Sequence, residues 1–186
     1  MKLNVQRRAL LKKSETKKIR YEGNIPAVLY VQGKAVDTLV VNGPEFTALL
    51  RSVLPGRLST TIFTLVDDKG KQRKAIIKEI QYQPTTYAVV HLDFEELCDD
   101  VAVRVKVPIE FVGAADCAGI KLGGVLRQVI RTARVRCLPK DIPALFQVDV
   151  RDLKLYDTKR LSDVTIPNTI KLLNDPKQVI VVIAKR

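Results

Sequence analysis

The eleven residues from Val101 to Phe111 carry Val101, Val103, Val105, Val107, Ile109 and Phe111 at every second position, with Arg104, Lys106 and Glu110 between them. Successive strand side chains point to opposite faces, so this spacing predicts a strand with one face buried and is incompatible with an amphipathic helix. The same period runs from Tyr87 to Phe94. Ala88, Val90, Leu92 and Phe94 fall on one face, and Tyr87, Val89, His91 and Asp93 on the other. His91 and Asp93 are therefore expected to project outward side by side. Strand-like runs also cover Leu3 to Arg7, Ile25 to Val31, Thr38 to Val41, Thr60 to Val66, Lys71 to Tyr82, Val129 to Leu138, Phe146 to Val150 and Val179 to Ala184. Asp67, Asp68, Lys69 and Gly70 have the composition of a hairpin turn.

Helix signals are few. Asn42, Gly43 and Pro44 form a helix start, followed by Phe46, Leu49, Leu50 and Val53 at amphipathic spacing, with Pro55 and Gly56 beyond the end. The segment from Leu11 to Gly23 has no apolar periodicity and is expected to be an exposed loop that becomes ordered against phosphate. Prolines 139, 143, 167 and 176 discourage long helices in the second half. The acidic interruption at residues 95 to 100 suggests a boundary, giving domains at 1–95 and 96–186.

Charge narrows the partner. Thirty-two Lys and Arg against twenty Asp and Glu give a net charge of +12, the footprint of a polyanion binder. Residues 1 to 94 hold sixteen bases and eight acids, and residues 95 to 186 hold sixteen and twelve, which makes the front half the more basic. Trp is absent and aromatic residues make up only 5%, so nucleic-acid binding would rest on charge and hydrogen bonding more than on stacking. Cys98, Cys117 and Cys137 are odd in number and widely spaced, which supports neither a disulfide framework nor a metal knuckle. With no apolar run of signal-peptide or membrane-span type, a cytoplasmic protein is expected.

Catalytic readings find little support. The single histidine lies two residues from Asp93, but Ser14, Ser52, Ser59 and Ser162 are not in nucleophile-elbow contexts, and parallel neighbours on one strand face do not form a relay. A hydrogen-bonding role toward RNA suits the pair better. Gly119, Gly123 and Gly124 are followed by Val125 and Leu126 where a phosphate loop needs Lys and Ser or Thr, so they read as turn or close-approach positions. Tyr30 and Tyr82 are compatible with either core packing or a surface phenol.

Read together and in order, these pieces resemble one family. Arg20, Gly23 and Ile25 to Tyr30, then Gln81, Pro84 and His91 to Phe94, and in the back half Gly123 to Leu126, Cys137 to Pro143 and Val148 to Val150 are similar to the two-domain form of bacterial large-subunit ribosomal protein twenty-five, the general stress protein Ctc family. The resemblance implies a mainly β chain. An N-terminal closed β-barrel with a few short helices, similar to the anticodon-binding barrels of glutaminyl-tRNA synthetase, would be followed by a separate all-β domain. It implies binding of 5S rRNA at the loop E minor groove, with Arg8, Lys13, Thr16, Lys17, Arg20, Tyr30, Lys78, Tyr82, His91 and Asp93 facing the RNA.

The expected protein is thus a non-enzymatic, ribosome-associated constituent of the large subunit, with no cofactor, metal, membrane or small-molecule substrate. Other ribosomal proteins are candidate partners of the C-terminal domain, and the second reading is a stress-response protein acting off the ribosome through that domain. Some positions depart from the family pattern. Thr16 and Lys17 stand where Ser and Arg are common, Lys78 replaces an amide, Tyr82 replaces an Arg, and Val31 and Gln32 delay a glycine. Lys keeps the charge of Arg but loses its bidentate fork.

Overall fold

A computed structural model describes residues 1–8, 13–30, 35–68 and 70–185. Leu11, Lys12, Val31, Gln32, Gly33 and Lys69, which enter several of the expectations above, lie outside the described residues. The chain divides into two compact units, Met1–Val101 and Ala102–Arg186.

Six strands close the first unit into a barrel: β1 (Lys2–Arg7), β2 (Asn24–Tyr30), β3 (Asp37–Asn42), β4 (Ile62–Asp67), β5 (Gln72–Tyr82) and β6 (Val89–Glu96), in the order β1-β3-β2-β6-β5-β4. A parallel β1–β4 pairing closes the ring, and β2 and β6 also run parallel. Alternation fills the interior. Leu3, Val5, Ala27, Leu29, Leu39, Val41, Phe63, Leu65, Ala75, Ile77, Leu92 and Phe94 all point inward, with Phe63 and Phe94 meeting edge to face at 6.4 Å. At one end the helix α2 (Gly43–Ser52) inserts Phe46 into this core. Its start is as the sequence specifies, because Asn42 Oδ1 accepts the Glu45 N–H at 3.0 Å and Pro44 needs no donor in the first turn.

Charges close the opposite end, where β1, β4 and β6 finish and β3 and β5 begin. Arg73, whose side chain is 5% exposed, reaches both oxygens of the equally buried Asp67 at 3.2 Å, donates to Asp37, and lies 3.9 Å from Glu96. Arg7 Nε adds a bond to Asp67 at 3.1 Å. Burial alone would lower the Arg73 pKa, but the Asp37 and Asp67 contacts outweigh it and hold the guanidinium above its usual range.

One element corrects the sequence reading. Residues Lys13–Tyr21 form a helix, α1, where a loop was expected. Exposure itself was rightly anticipated, since no residue of α1 is buried. The helix is held by propensity and local pairs rather than by an apolar stripe: Lys and Arg are good helix formers, Lys18 approaches Glu22 at 4.0 Å, and Lys17 lies 5.6 Å from the Tyr21 ring centroid. Glu15 in the first turn and Lys18 and Arg20 in the last match the helix dipole. Gly23, at φ +79°, turns the chain into β2.

The second unit is a four-stranded sheet and a three-stranded one. The first has the order β10-β7-β9-β12, built from β7 (Val103–Val112), β9 (Thr132–Cys137), β10 (Phe146–Asp149) and β12 (Lys171–Leu172). The second is β11-β13-β8, from β8 (Gly124–Gln128), β11 (Thr158–Arg160) and β13 (Val179–Lys185). Val103, Val105, Val107 and Ile109 are buried, as the opening alternation requires. Cys117 and Cys137 are buried free thiols and Cys98 is half-buried. The glycine stretch is structural. A Cβ on Gly119 would stand 2.8 Å from Ile183 Cγ2 and 2.9 Å from the Lys154 carbonyl carbon, and Gly123 turns at φ +88°.

β6 passes through the 95/96 boundary expected from the acidic run, so Glu95 and Glu96 are barrel residues. Divided at Val101, the first unit holds sixteen bases and twelve acids and the second sixteen and eight. The larger basic excess belongs to the back unit, the reverse of the count made at residue 94.

Candidate RNA-binding face

On the outer face of the barrel, β2, β6 and β5 lie side by side. Val28 stands opposite Asp93, Glu79 also pairs with Asp93, and Gln81 faces His91 across a ladder irregularity between Ile77 and Glu79. With Leu92 and Phe94 anchored in the core, His91 and Asp93 are driven outward and remain half-buried, at 20% and 18% side-chain exposure. Tyr30 OH donates to Asp93 Oδ2 at 3.1 Å. Partial burial, then this bond and the charges of Asp93 and Glu79, raise the Tyr30 pKa and keep its phenol a donor.

The expectation that His91 and Asp93 merely run parallel is corrected. Nδ1 of His91 and Oδ1 of Asp93 are 2.7 Å apart, yet the contact lacks hydrogen-bond alignment, and both atoms are buried without a hydrogen-bond partner. Such atoms carry an unmet polar demand. Two of the serines weighed above are engaged elsewhere: Ser52 donates to the Leu49 carbonyl and Ser162 to Asp163.

Helix α1 flanks this face. Lys13, Thr16, Lys17 and Arg20 occur at i, i+3, i+4 and i+7, which places all four on one side of the helix. Arg20 Nε donates to the Val90 carbonyl at 3.2 Å and thereby fixes the helix beside the strand that carries His91. A groove of about 570 Å³ follows Arg20 toward Arg51 and Val89.

On the other flank, Arg8 continues past β1. Its backbone N–H donates to Thr38 O at 3.0 Å, its Nε to Leu39 O at 3.2 Å, and Thr38 pairs with Val28 in the ladder. Lys78 Nζ is 2.6 Å from Glu95 Oε2, so its charge is engaged within the protein.

Tyr82 stands apart from this group. It is 46% exposed, pairs with Val89, and lines a groove with Leu50, Leu54 and Leu58 at the end of α2. Gln81 instead occupies the place opposite His91. Sequence reasoning assigned Gln81 no role, although the alternation of β5 carried through its irregularity identifies it.

Two family models divide the chain between them. Residues 3–94 match the model of the ribosomal L25p family, and residues 102–186 match that of ribosomal protein TL5, C-terminal domain. Over all 186 residues of both chains, the protein is 48% identical to large ribosomal subunit protein bL25 of Chlamydia trachomatis serovar A, 49% to that of serovar L2 and 46% to that of Chlamydia pneumoniae. The chain belongs to the ribosomal L25p family. It is the long, two-domain form, since the second model matches as well. Members of this family are ribosomal proteins and not enzymes, which removes a catalytic reading of His91 and Asp93.

Proposed function

We propose that this chain is a structural constituent of the large ribosomal subunit in the cytoplasm and that its barrel, rather than its second unit, binds 5S rRNA at the minor groove of loop E. The observation that carries the second part is the juxtaposition of two unlike surfaces. A ridge of Lys13, Thr16, Lys17 and Arg20 lies beside a strand face on which Tyr30, His91 and Asp93 form one polar cluster.

The two surfaces do different work. Cations on the ridge contact phosphates, which supplies affinity and position without sequence information. The phenol donor of Tyr30 and the polar atoms of His91 and Asp93 address sugar hydroxyls and base edges, which an irregular internal loop with a widened groove exposes. Gln81 adds an amide beside His91, able both to donate and to accept. Arg8 and Lys78 extend the cationic rim, Lys78 by exchanging Glu95 for phosphate. Tyr82 lies on the margin, against the α2 groove.

Neutralising the ridge tests the electrostatic half. The Lys13→Gln/Lys17→Gln variant is expected to bind every structured RNA more weakly, with the slope of log K against log salt shallower by somewhat under two units, at roughly 0.7 to 0.9 per lost phosphate contact. Its preference for loop E over a plain duplex should be retained. A slope equal to that of the unmodified protein, measured by salt titration on both RNAs, would show that α1 does not hold the RNA backbone.

A further inference from the structure

The groove of about 570 Å³ at the α2 end of the barrel lies between the last turn of α1, one side of α2 and the loop of residues 83–88 that joins β5 to β6. Arg20 and Arg51 line it, and among the described residues no Asp or Glu does. Arg20 is tied through Nε to the Val90 carbonyl, which leaves its terminal N–H groups without a partner among the described residues. The exposed side chain of Arg51, in the last turn of α2, makes no hydrogen bond or ion pair among them either. Backbone contact fixes the walls. A Cβ on Gly43 would collide with the Gly23 carbonyl oxygen, so the turn from α1 into β2 meets the start of α2 at a distance that only glycine permits.

At the rim, the Gln83 N–H donates to the Ala88 carbonyl at 2.8 Å and the Tyr87 N–H to the Gln83 carbonyl at 2.9 Å, and both Gln83 and Ala88 line the groove. Tyr87 itself takes φ +55°, in the left-handed region that favours glycine, and is 79% exposed. A ring that strains its backbone and buries little of its surface contributes little to the free barrel, and the strain is explained by a ligand that covers the ring. We infer that this groove takes one unpaired nucleotide of a bound RNA, its phosphate held between Arg20 and Arg51 and its base stacked on Tyr87. Guanidinium forks match phosphate oxygens, a groove of this size accommodates a ligand of nucleotide size, and an aromatic face stacks on any base. The inference rests on the barrel being the RNA-binding unit. To the polar cluster that addresses loop E it adds a contact indifferent to base identity, because stacking does not read base edges.

The test uses the full-length chain and two RNA duplexes, identical except that one carries a single bulged fluorescent purine. The bulged RNA is expected to bind at least about fivefold tighter, with its fluorescence quenched as the base stacks. Tyr87→Gly should bring the two affinities within about twofold and remove the quenching, whereas Tyr87→Phe should keep the preference. The glycine variant should melt close to the unmodified protein, since it relieves the left-handed strain while loosening the unfolded chain. Arg51→Gln should weaken bulge binding about fivefold and make the salt slope shallower by roughly 0.7 to 0.9 of a unit. Lys71→Gln, the same charge change at the opposite end of the barrel, should lose less than about twofold.

Equal binding of the bulged and paired duplexes by the unmodified protein, or a bulge preference that survives both Tyr87→Gly and Arg51→Gln, overturns the proposal. So does a free nucleoside monophosphate that displaces the bulged RNA at equal affinity, since the groove would then belong to a small ligand. Preference for loop E over a plain duplex should persist in both variants. Its absence from the unmodified protein, with the bulge preference present, would instead overturn the loop E assignment and leave this one standing.

Discussion

Replacing Arg73 by Met is expected to destabilise the barrel by about 3 to 5 kcal/mol, the range for leaving one partner of a buried ion pair uncompensated. Arg73 and Asp67 are each 5% exposed, and among the described residues the second cation paired with Asp67 is Arg7, itself 54% exposed. The companion variant Arg73→Met/Asp67→Leu should recover most of the loss, because a well-packed apolar pair often matches a buried salt bridge in stability. Chemical denaturation of the full-length variants measures both. A loss under about 1 kcal/mol for the single variant would mean that water, not protein, balances these charges. The cluster also bears on the proposed RNA-binding face: Arg7 is tied into it, and Arg8 follows in the chain, so loosening this end should release Arg8 from Thr38 and Leu39.

Asp93→Ala is expected to weaken binding to loop E by about 1 to 3 kcal/mol while leaving the salt slope nearly unchanged, because it removes polar contacts and no cation. Its carboxylate orients Tyr30 through the 3.1 Å bond and stands 2.7 Å from His91 Nδ1, so the loss should exceed that of Tyr30→Phe. His91→Ala should fall in the same range. Neither substitution should move the barrel's melting much, since both side chains stand outside its apolar core. Equal losses on loop E and on a plain duplex, read in one titration, would show that this cluster does not discriminate between RNAs.

The barrel was legible because its core obeys a period of two. Val5, Leu39, Leu92 and Phe94 are where the alternation puts them, and the α2 start is written in Asn42, Gly43 and Pro44. α1 was not legible because a helix shows in sequence through its apolar stripe, and this helix buries nothing. Its stability comes from propensity and i,i+4 pairs, which leave no hydrophobic period. Strands β11 and β12, at three and two residues, are too short to show one, and β8 lies against a glycine stretch whose role is close packing. For the candidate site, residue types were readable but juxtapositions were not. That His91 leans on Asp93 and that Gln81 rather than Tyr82 faces His91 are facts of register. A count of charges divided at residue 94 also placed Glu95, Glu96, Asp99 and Asp100 in the back unit, and so reversed which unit carries the greater basic excess.

Sequencing the RNA crosslinked to the endogenous protein, with the crosslinked peptides identified alongside, reads out which RNA the barrel holds and by which residues. Crosslinks are expected from α1 and from the Tyr30 and His91 strands to loop E of 5S rRNA. Crosslinks from those barrel peptides to other RNA alone, with none in 5S rRNA, would contradict 5S rRNA binding by the barrel.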